Sequence, residues 1–112
     1  MRDAPLSSYR IMWLFVMFDL PVSTRKERKR ATVFRKKLLE MGFEMSQFSI
    51  YLKYCYSAEK AESIAKKVEK RVPPGGKVDI LSITDKQFSN IVRLDSGQMI
   101  EMEGEPAQLQ IF

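Results

Sequence analysis

The stretch Ile11-Met-Trp-Leu-Phe-Val-Met-Phe18 is apolar at every position and is followed at once by Asp19-Leu-Pro21. A continuous apolar run of this length is typical of a central strand that is covered on both faces of a sheet. The strand is expected to end before Pro21, because proline has no amide hydrogen to donate to a neighbouring strand. One carboxylate, Asp19, therefore lies where a buried strand gives way to a loop.

A basic amphipathic helix is predicted directly after this loop. Thr24 and Glu27 have the spacing of a capping box, in which each side chain accepts a hydrogen bond from the other residue's amide. Gly42 supplies the left-handed residue that ends many helices. Between them, apolar residues recur at helical spacing at Ala31, Phe34, Leu38 and Met41. The opposite half of this helix carries the cations Arg25, Lys26, Lys29, Arg30, Lys36 and Lys37.

The remaining segments complete an α+β fold. Two antiparallel strands are predicted at 43–45 and 48–54, with a tight hairpin or bulged bend at 46–47 between them. A second helix ends at the Pro- and Gly-rich turn 73–76, and a strand follows over 77–84. The order strand, helix, strand, strand, helix, strand predicts a ferredoxin-like βαββαβ unit, with an antiparallel four-stranded sheet and both helices on one face.

Residues beyond this unit have strand character that the four-stranded sheet does not need. A short turn is predicted at 85–88, then a hairpin formed by 91–94 and 99–102 around Asp95-Ser-Gly97. Because an exposed sheet edge invites an added strand, this segment is suited to pairing across a homodimer. The expected dimer-interface residues are Ile91, Val92, Arg93 and Leu94.

The predicted organisation is an N-terminal extension at 1–8, a ferredoxin-like domain at 9–89, a C-terminal dimer-pairing strand or hairpin at 90–103 and a tail at 104–112.

Composition excludes several classes of protein. The 112 residues carry 19 Lys and Arg against 14 Asp and Glu, a formal charge of +5, and no His. The lack of His excludes Ser-His and Cys-His nucleophile systems and His-ligated zinc, and the lone Cys55 fits a reducing cytosol.

The apolar run 11–18 is too short to span a bilayer and 1–5 does not begin a secretory signal. A cytoplasmic protein without membrane association is expected.

Asp19 is the candidate catalytic residue and magnesium ligand. Mg²⁺ takes oxygen ligands and commonly uses one or two protein carboxylates beside water and substrate phosphate. Two copies of Asp19 brought together by a two-fold axis could share the ion against a phosphodiester. The alternative is that Asp19 only accepts hydrogen bonds from the loop amides that precede the helix.

The basic helix is the candidate nucleic-acid-binding element. Eight of the 19 cations fall between Arg25 and Lys37, against the single acid Glu27. Cations on one helix face contact phosphates without reading bases, so the predicted affinity depends on salt and tolerates many sequences. The alternative is an ordinary solvated helix face.

Several of these motifs together resemble the CRISPR-associated protein 2 family, the small subunit of the spacer-acquisition machinery. They are Phe18-Asp-Leu-Pro21, the basic helix, Phe34-Arg-Lys-Lys-Leu-Leu-Glu-Met-Gly-Phe43, Met45-Ser-Gln-Phe-Ser-Ile-Tyr51 and Ile83-Thr-Asp-Lys-Gln-Phe88. The similarity covers roughly residues 9–95 in order. The motif Phe18-Asp-Leu-Pro21 and the segment Gln47-Phe-Ser-Ile-Tyr51 are most similar to family members that accompany type II, single-effector systems.

The resemblance implies a ferredoxin-like homodimer in which the C-terminal strand of each chain joins the partner's sheet. It implies a role in CRISPR adaptation, with one such dimer bridging two dimers of CRISPR-associated integrase protein 1 and carrying the protospacer, a double-stranded DNA, on its basic surface. It also implies a magnesium-dependent endonuclease activity on RNA or DNA, with Asp19 as the metal ligand.

The sequence leaves two other functions open. One is a free-standing, metal-dependent endoribonuclease of antiviral defence, which cuts single-stranded RNA at a pair of Asp19 side chains on the dimer axis. The other is a ferredoxin-like regulatory module that binds a small ligand at its dimer interface. The basic helix disfavours the second, because a sensor of small ligands needs no broad cationic face.

Overall fold

The structure, a computed structural model, describes residues 10–100, and side chains as far as Gly97. Four strands form one antiparallel sheet, in which the second, third, first and fourth strands of the chain lie side by side in that order, and the fifth strand pairs with the sixth in a separate hairpin. This order confirms the predicted ferredoxin-like α+β fold. The elements are β1 Met12–Asp19, α1 Arg25–Glu40, β2 Glu44–Gln47, β3 Ile50–Cys55, α2 Ala58–Glu69, β4 Lys77–Thr84, α3 Asp85–Ser89, β5 Arg93–Asp95 and β6 Gln98–Ile100.

Helix α1 begins and ends where its sequence signals predict. The Thr24 amide donates to Glu27 Oε1 at 3.0 Å, and the Glu27 amide donates to Thr24 Oγ1 at 3.1 Å. After the last helical residue, Gly42 has a φ of +96° and the Phe43 amide donates back to the Leu38 carbonyl at 3.0 Å. The capping box and the terminating glycine are therefore confirmed.

The turn between β2 and β3 lies at Phe48-Ser49, two residues later than predicted. The pairing register shifts between Met45 and Gln47, and Gln47 pairs with Ile50 to close the turn. The predicted bend position was wrong because β2 is an edge strand with one side open to solvent, where polar residues can continue the strand. The shift in register is a bulge, which absorbs the extra residue.

Residues 85–88, predicted as a short turn, form most of the five-residue helix α3. Thr84 and Gln87 make a second capping box, with the Thr84 amide donating to Gln87 Oε1 at 2.9 Å. The sequence signal was present but was missed, because the helix is too short to show a period.

The core lies on both faces of β1, as its continuous apolar sequence predicts. On one face, Leu14, Val16 and Phe18 pack with buried residues of the two long helices. On the other face, Trp13 is 1% exposed and stacks on Phe88 of α3, with ring centroids 3.8 Å apart. Trp13 Nε1 also donates to Asp85 Oδ1 at 2.8 Å, so α3 is held against the sheet face that carries no long helix.

The predicted C-terminal hairpin is present in part. Asp95 pairs with Gln98, and the connecting residues Ser96 and Gly97 both have positive φ, 55° and 82°. Two such residues make the two-residue turn that suits the twist of a hairpin. Residues 101–102 of the hairpin, the extension 1–8 and the tail 104–112 lie outside the described residues.

Within residues 10–100, no helix has the length and apolar character that crossing a membrane would require.

Candidate nucleic-acid interface and metal site

Asp19 is the last residue of β1, and its side chain is exposed. Side chains alternate along a strand, and Phe18 points into the core beneath the helices. Asp19 therefore lies on the opposite face of the sheet, the face that carries Trp13. Among the described residues, no backbone amide donates a hydrogen bond to the Asp19 carboxylate. The alternative role as a cap for the loop is thus disfavoured, and Thr24 fills it instead.

A second carboxylate, Asp79, lies near Asp19 through the pairing of β1 with β4. Asp19 pairs with Lys77, and Met17 pairs with Asp79, so Asp79 is a diagonal neighbour of Asp19 on the same face. Sequence reasoning missed Asp79 because its position depends on the register between strands that are distant in the chain. Asp79 is exposed, like Asp19.

These donors fit a hard divalent ion that keeps most of its own water. The described residues contain no group of three or more His, Cys, Asp or Glu side chains arranged to hold a metal. One chain offers the oxygens of Asp19, with those of Asp79 nearby, and Mg²⁺ is commonly held by one or two carboxylates. The donor set fits magnesium and lacks the thiolate or imidazole ligands that zinc prefers.

Four cations of α1 line a groove of about 550 Å³ between α1 and the end of α2. Its floor is apolar, formed by Val33, Phe34, Pro73 and Pro74. Its cationic lining consists of Lys26, Lys29, Arg30, Lys37, Lys70 and Arg71, and no acidic side chain lines it. Among the described residues, the one ion pair is Lys37 with Glu40 at 3.4 Å. The groove therefore has a concentrated positive charge.

The structure brings together four of the six predicted binding residues and leaves two outside the groove. Lys26, Lys29, Arg30 and Lys37 line the groove, whereas Arg25 and Lys36 are exposed on α1 beyond it. Sequence reasoning missed Lys70 and Arg71, although a cluster of cations at 66–71 was a visible signal at the end of α2.

The cations at the start of α1 are placed where they oppose helix stability. Arg25 and Lys26 stand in the first turn, at the positive end of the helix dipole. Lys26 also has like-charged neighbours three and four residues on, at Lys29 and Arg30, and such pairs repel. Helix formation alone does not explain this arrangement, which favours binding of a polyanion over an ordinary solvated face.

The groove and Asp19 lie on opposite faces of the sheet but at the same end. The chain passes from Asp19 through the loop at 20–24 into α1, and from α2 through the loop at 70–76 into β4. The two loops touch, since a Cβ added to Gly76 would lie 2.6 Å from Leu20 Cδ2. A phosphate backbone that leaves the groove around this end of the sheet would approach Asp19.

The predicted dimer-interface residues fall into two groups. Ile91 packs against the cluster of Trp13 and Phe88, and the Arg93 guanidinium donates to Ser46 Oγ, so these two side chains make contacts within the chain. Val92 and Leu94 are each 65% exposed. The hairpin is not paired with the four-stranded sheet, and no strand of the described residues 10–100 covers the outer edge of the eight-residue β4.

Cys55 takes no part in this chemistry. It is buried in the helix-side core, and burial raises the pKa of its thiol, which disfavours the reactive thiolate.

Comparisons with known proteins agree with one another. Residues 12–91 match the family model described as CRISPR associated protein Cas2. A protein of Paracidovorax avenae named CRISPR-associated endoribonuclease Cas2 is 45% identical over 107 residues, which cover 96% of this chain and 99% of that protein. A protein of the same name from Flavobacterium psychrophilum is 46% identical over 107 residues, covering 96% and 93%.

A solved structure titled "Crystal structure of cas2" is similar to this chain, with a TM-score of 0.53 at 21% sequence identity. The similarity covers 82% of this chain and 97% of that one. At this level of identity, the likeness concerns the fold alone.

Proposed function

Because the chain belongs to the Cas2 family of CRISPR-associated proteins, we propose that it acts in CRISPR adaptation as a homodimeric subunit that binds double-stranded DNA. The observation that carries the proposal is the groove between α1 and α2, which six cations line and no acidic side chain lines. Phosphates of a duplex would neutralise this charge and release counterions, so binding would be strong at low salt and indifferent to sequence.

Replacing Lys26 and Lys29 with Glu should weaken binding of a blunt DNA duplex by a similar factor for unrelated sequences. The slope of log affinity against log salt should fall by about one for each lost phosphate contact. The free energy of unfolding should stay the same or increase, because acidic side chains near the start of α1 interact favourably with the helix dipole. Fluorescence anisotropy over a salt series and thermal unfolding measure the two effects.

Lys60→Glu is the matched control, because Lys60 is exposed in the first turn of α2 and outside the groove. It makes the same change of charge at one position that the test variant makes at each of two, and it should leave the salt slope close to that of the unchanged chain. A double variant of Lys26 and Lys29 with an unchanged slope would show that these cations are merely solvated.

The proposed dimer is supported by the outer edge of β4, with which no described strand pairs. In the proposed dimer, the C-terminal strand of each chain pairs with β4 of the other, and the exposed Val92 and Leu94 become buried. The two-fold axis duplicates every surface, so one dimer can hold two dimers of the CRISPR-associated integrase protein 1 at equivalent sites. Co-purification with that integrase, with and without duplex DNA, tests the bridging role.

Deleting residues 92–112 should convert the dimer into a monomer or an aggregating species, because β4 would keep an unpaired edge. Ile91 is retained, so the cluster around Trp13 and Phe88 stays covered. Size-exclusion chromatography with light scattering measures the mass. Removal of 104–112 alone is the control and should leave a dimer. A well-behaved dimer of the longer deletion would refute strand exchange.

A second candidate function, magnesium-dependent cleavage of RNA, is favoured by the exposed Asp19 carboxylate and its neighbour Asp79. Both relatives described above carry the name endoribonuclease. Magnesium, when bound, polarises a phosphoryl group and makes hydroxide available at neutral pH. Asp19 would hold the ion through oxygens that no backbone amide of the described residues engages. The cationic groove at the same end of the sheet would retain the phosphate backbone.

A further inference from the structure

Phe48 is the most exposed large apolar side chain among the described residues, with 69% of its surface accessible. It stands in the two-residue turn between β2 and β3. The turn itself is firmly placed, because the Phe18 amide donates to the Ser49 carbonyl at 3.0 Å and Gln47 pairs with Ile50. The structure therefore holds an aromatic ring in solvent on a fixed support.

The Phe48 ring is backed by Arg35 of α1. The guanidinium carbon of Arg35 lies 4.1 Å from the centre of the Phe48 ring and 5.4 Å from the centre of the buried Phe18 ring. Arg35 Nε is buried and has no hydrogen-bond partner among the described residues, and Arg35 makes no ion pair with them. The Arg35 guanidinium therefore contacts two aromatic rings, and no acidic side chain of the described residues pairs with it.

Packing does not account for Phe48. A side chain that keeps more than two thirds of its surface in water contributes little apolar burial, and the turn is closed by backbone hydrogen bonds. Proteins that bind single strands stack bases on aromatic side chains beside positive charge, and Phe48 with Arg35 supplies both.

We propose that Phe48, backed by Arg35, is a stacking platform for an unpaired nucleobase of a single-stranded segment or duplex end. The proposal rests on the proposed function in assuming that the chain binds nucleic acid. The platform lies at the end of the sheet where β1 ends, because Ser49 pairs with the residue before Asp19. A stacked base would therefore place its strand at the same end as Asp19 and the start of α1.

A nucleic acid is favoured over an apolar protein segment by the charge of Arg35. An apolar segment that covered Phe48 would also cover a cation without an acidic partner, which is costly. A nucleotide brings a phosphate together with its base, so the same contact that covers the ring can compensate the charge.

The test compares three duplexes that differ only at one end: blunt, with a thymidine overhang, and with an overhang of the same length built from abasic residues. The two overhangs carry the same phosphates, so their difference isolates the bases. The unchanged chain should bind the thymidine overhang roughly tenfold more tightly than the abasic one. Phe48→Leu should abolish this preference and leave binding of the blunt duplex unchanged.

Phe48→Trp supplies a direct readout, because the one natural tryptophan, Trp13, is 1% exposed. The emission of this variant should be quenched by the thymidine overhang, and by a single-stranded thymidine oligonucleotide, but not by abasic strands of equal length. Arg35→Lys keeps the charge but loses the planar backing, and it should reduce the preference. Circular dichroism confirms that each variant is folded.

Equal affinity of the unchanged chain for thymidine and abasic overhangs would overturn the platform. So would a Phe48→Leu chain that keeps the preference, or emission of the Phe48→Trp chain that responds equally to the two kinds of strand. Failure to bind the blunt duplex would count against the proposed function alone, since the single-stranded oligonucleotide still tests stacking.

Discussion

Replacing Asp19 with Asn should abolish magnesium-dependent cleavage of RNA or DNA, while the dimer and its affinity for duplex DNA stay nearly unchanged. Asn keeps the size of the side chain but removes the negative charge that a hard divalent ion requires. Asp19 is exposed and, among the described residues, accepts no hydrogen bond from the backbone, so the core does not depend on it. Cleavage assays over a magnesium series measure the loss, beside sedimentation of the same variant.

Glu62→Gln is the matched control for this variant, because Glu62 is an exposed acid on α2, beyond the sheet from Asp19. It should cleave as the unchanged chain does. Asp79→Asn should reduce the affinity for magnesium if the diagonal neighbour shares the ion. Cleavage that survives in Asp19→Asn would remove Asp19 from the site, and loss of the dimer would indicate a structural role.

Phe88→Ala should lower the free energy of unfolding by about 3–5 kcal/mol, the usual range for removing a buried phenylalanine. Phe88 is 1% exposed and covers Trp13, so its loss uncovers the second face of β1. For a domain of this size, whose total stability is about 5–15 kcal/mol, this is a large fraction. Denaturant unfolding followed by Trp13 emission measures the change.

The same variant should weaken dimerisation, because α3 places the segment that precedes β5. Ile91 packs on the cluster of Trp13 and Phe88. Without Phe88, Ile91 loses this contact, and β5, which begins two residues later, is no longer held in one position. Phe48→Ala is the control, since an exposed phenylalanine on a turn should cost little stability. If Phe88→Ala and the unchanged chain unfolded at the same denaturant concentration, Phe88 would not stabilise the second face of β1.

The fold was predictable where local signals agree with one another. The apolar run of β1, the capping box at Thr24 and the terminating Gly42 each point to the same element order, and strand β4 lies at 77–84 as predicted. The turn at Phe48-Ser49 was misplaced because its position is set by a bulge in the pairing of β2 with β3. Such a shift in register has no clear signature in the sequence of one strand.

The candidate site was predictable only in its parts. Asp19 and the cations of α1 stand out in the sequence. That they lie on opposite faces of the sheet depends on which side chains of β1 point toward the helices in the folded protein. The same is true of Asp79, of Lys70 and Arg71 in the groove, and of Arg35 behind Phe48. Each of these neighbours is set by tertiary packing between segments that lie far apart in the chain. The metal, the dimer and the binding roles stay predictions.

The two edges of the sheet differ in a way that limits how many copies of the chain can join. Strand β2 is four residues long and bulged, whereas β4 has eight residues and a regular ladder on its inner side. A sheet with two long, flat edges can add chains at both, and such growth has no natural end. Here only β4 offers such an edge, and in the proposed dimer a two-fold axis makes the exchange mutual, so that each chain gives one strand to the other and no long edge is left uncovered. This difference between the two edges favours a closed dimer over a fibre. Removing the bulge in β2 would give the sheet a second straight edge and would therefore favour growth of a fibre.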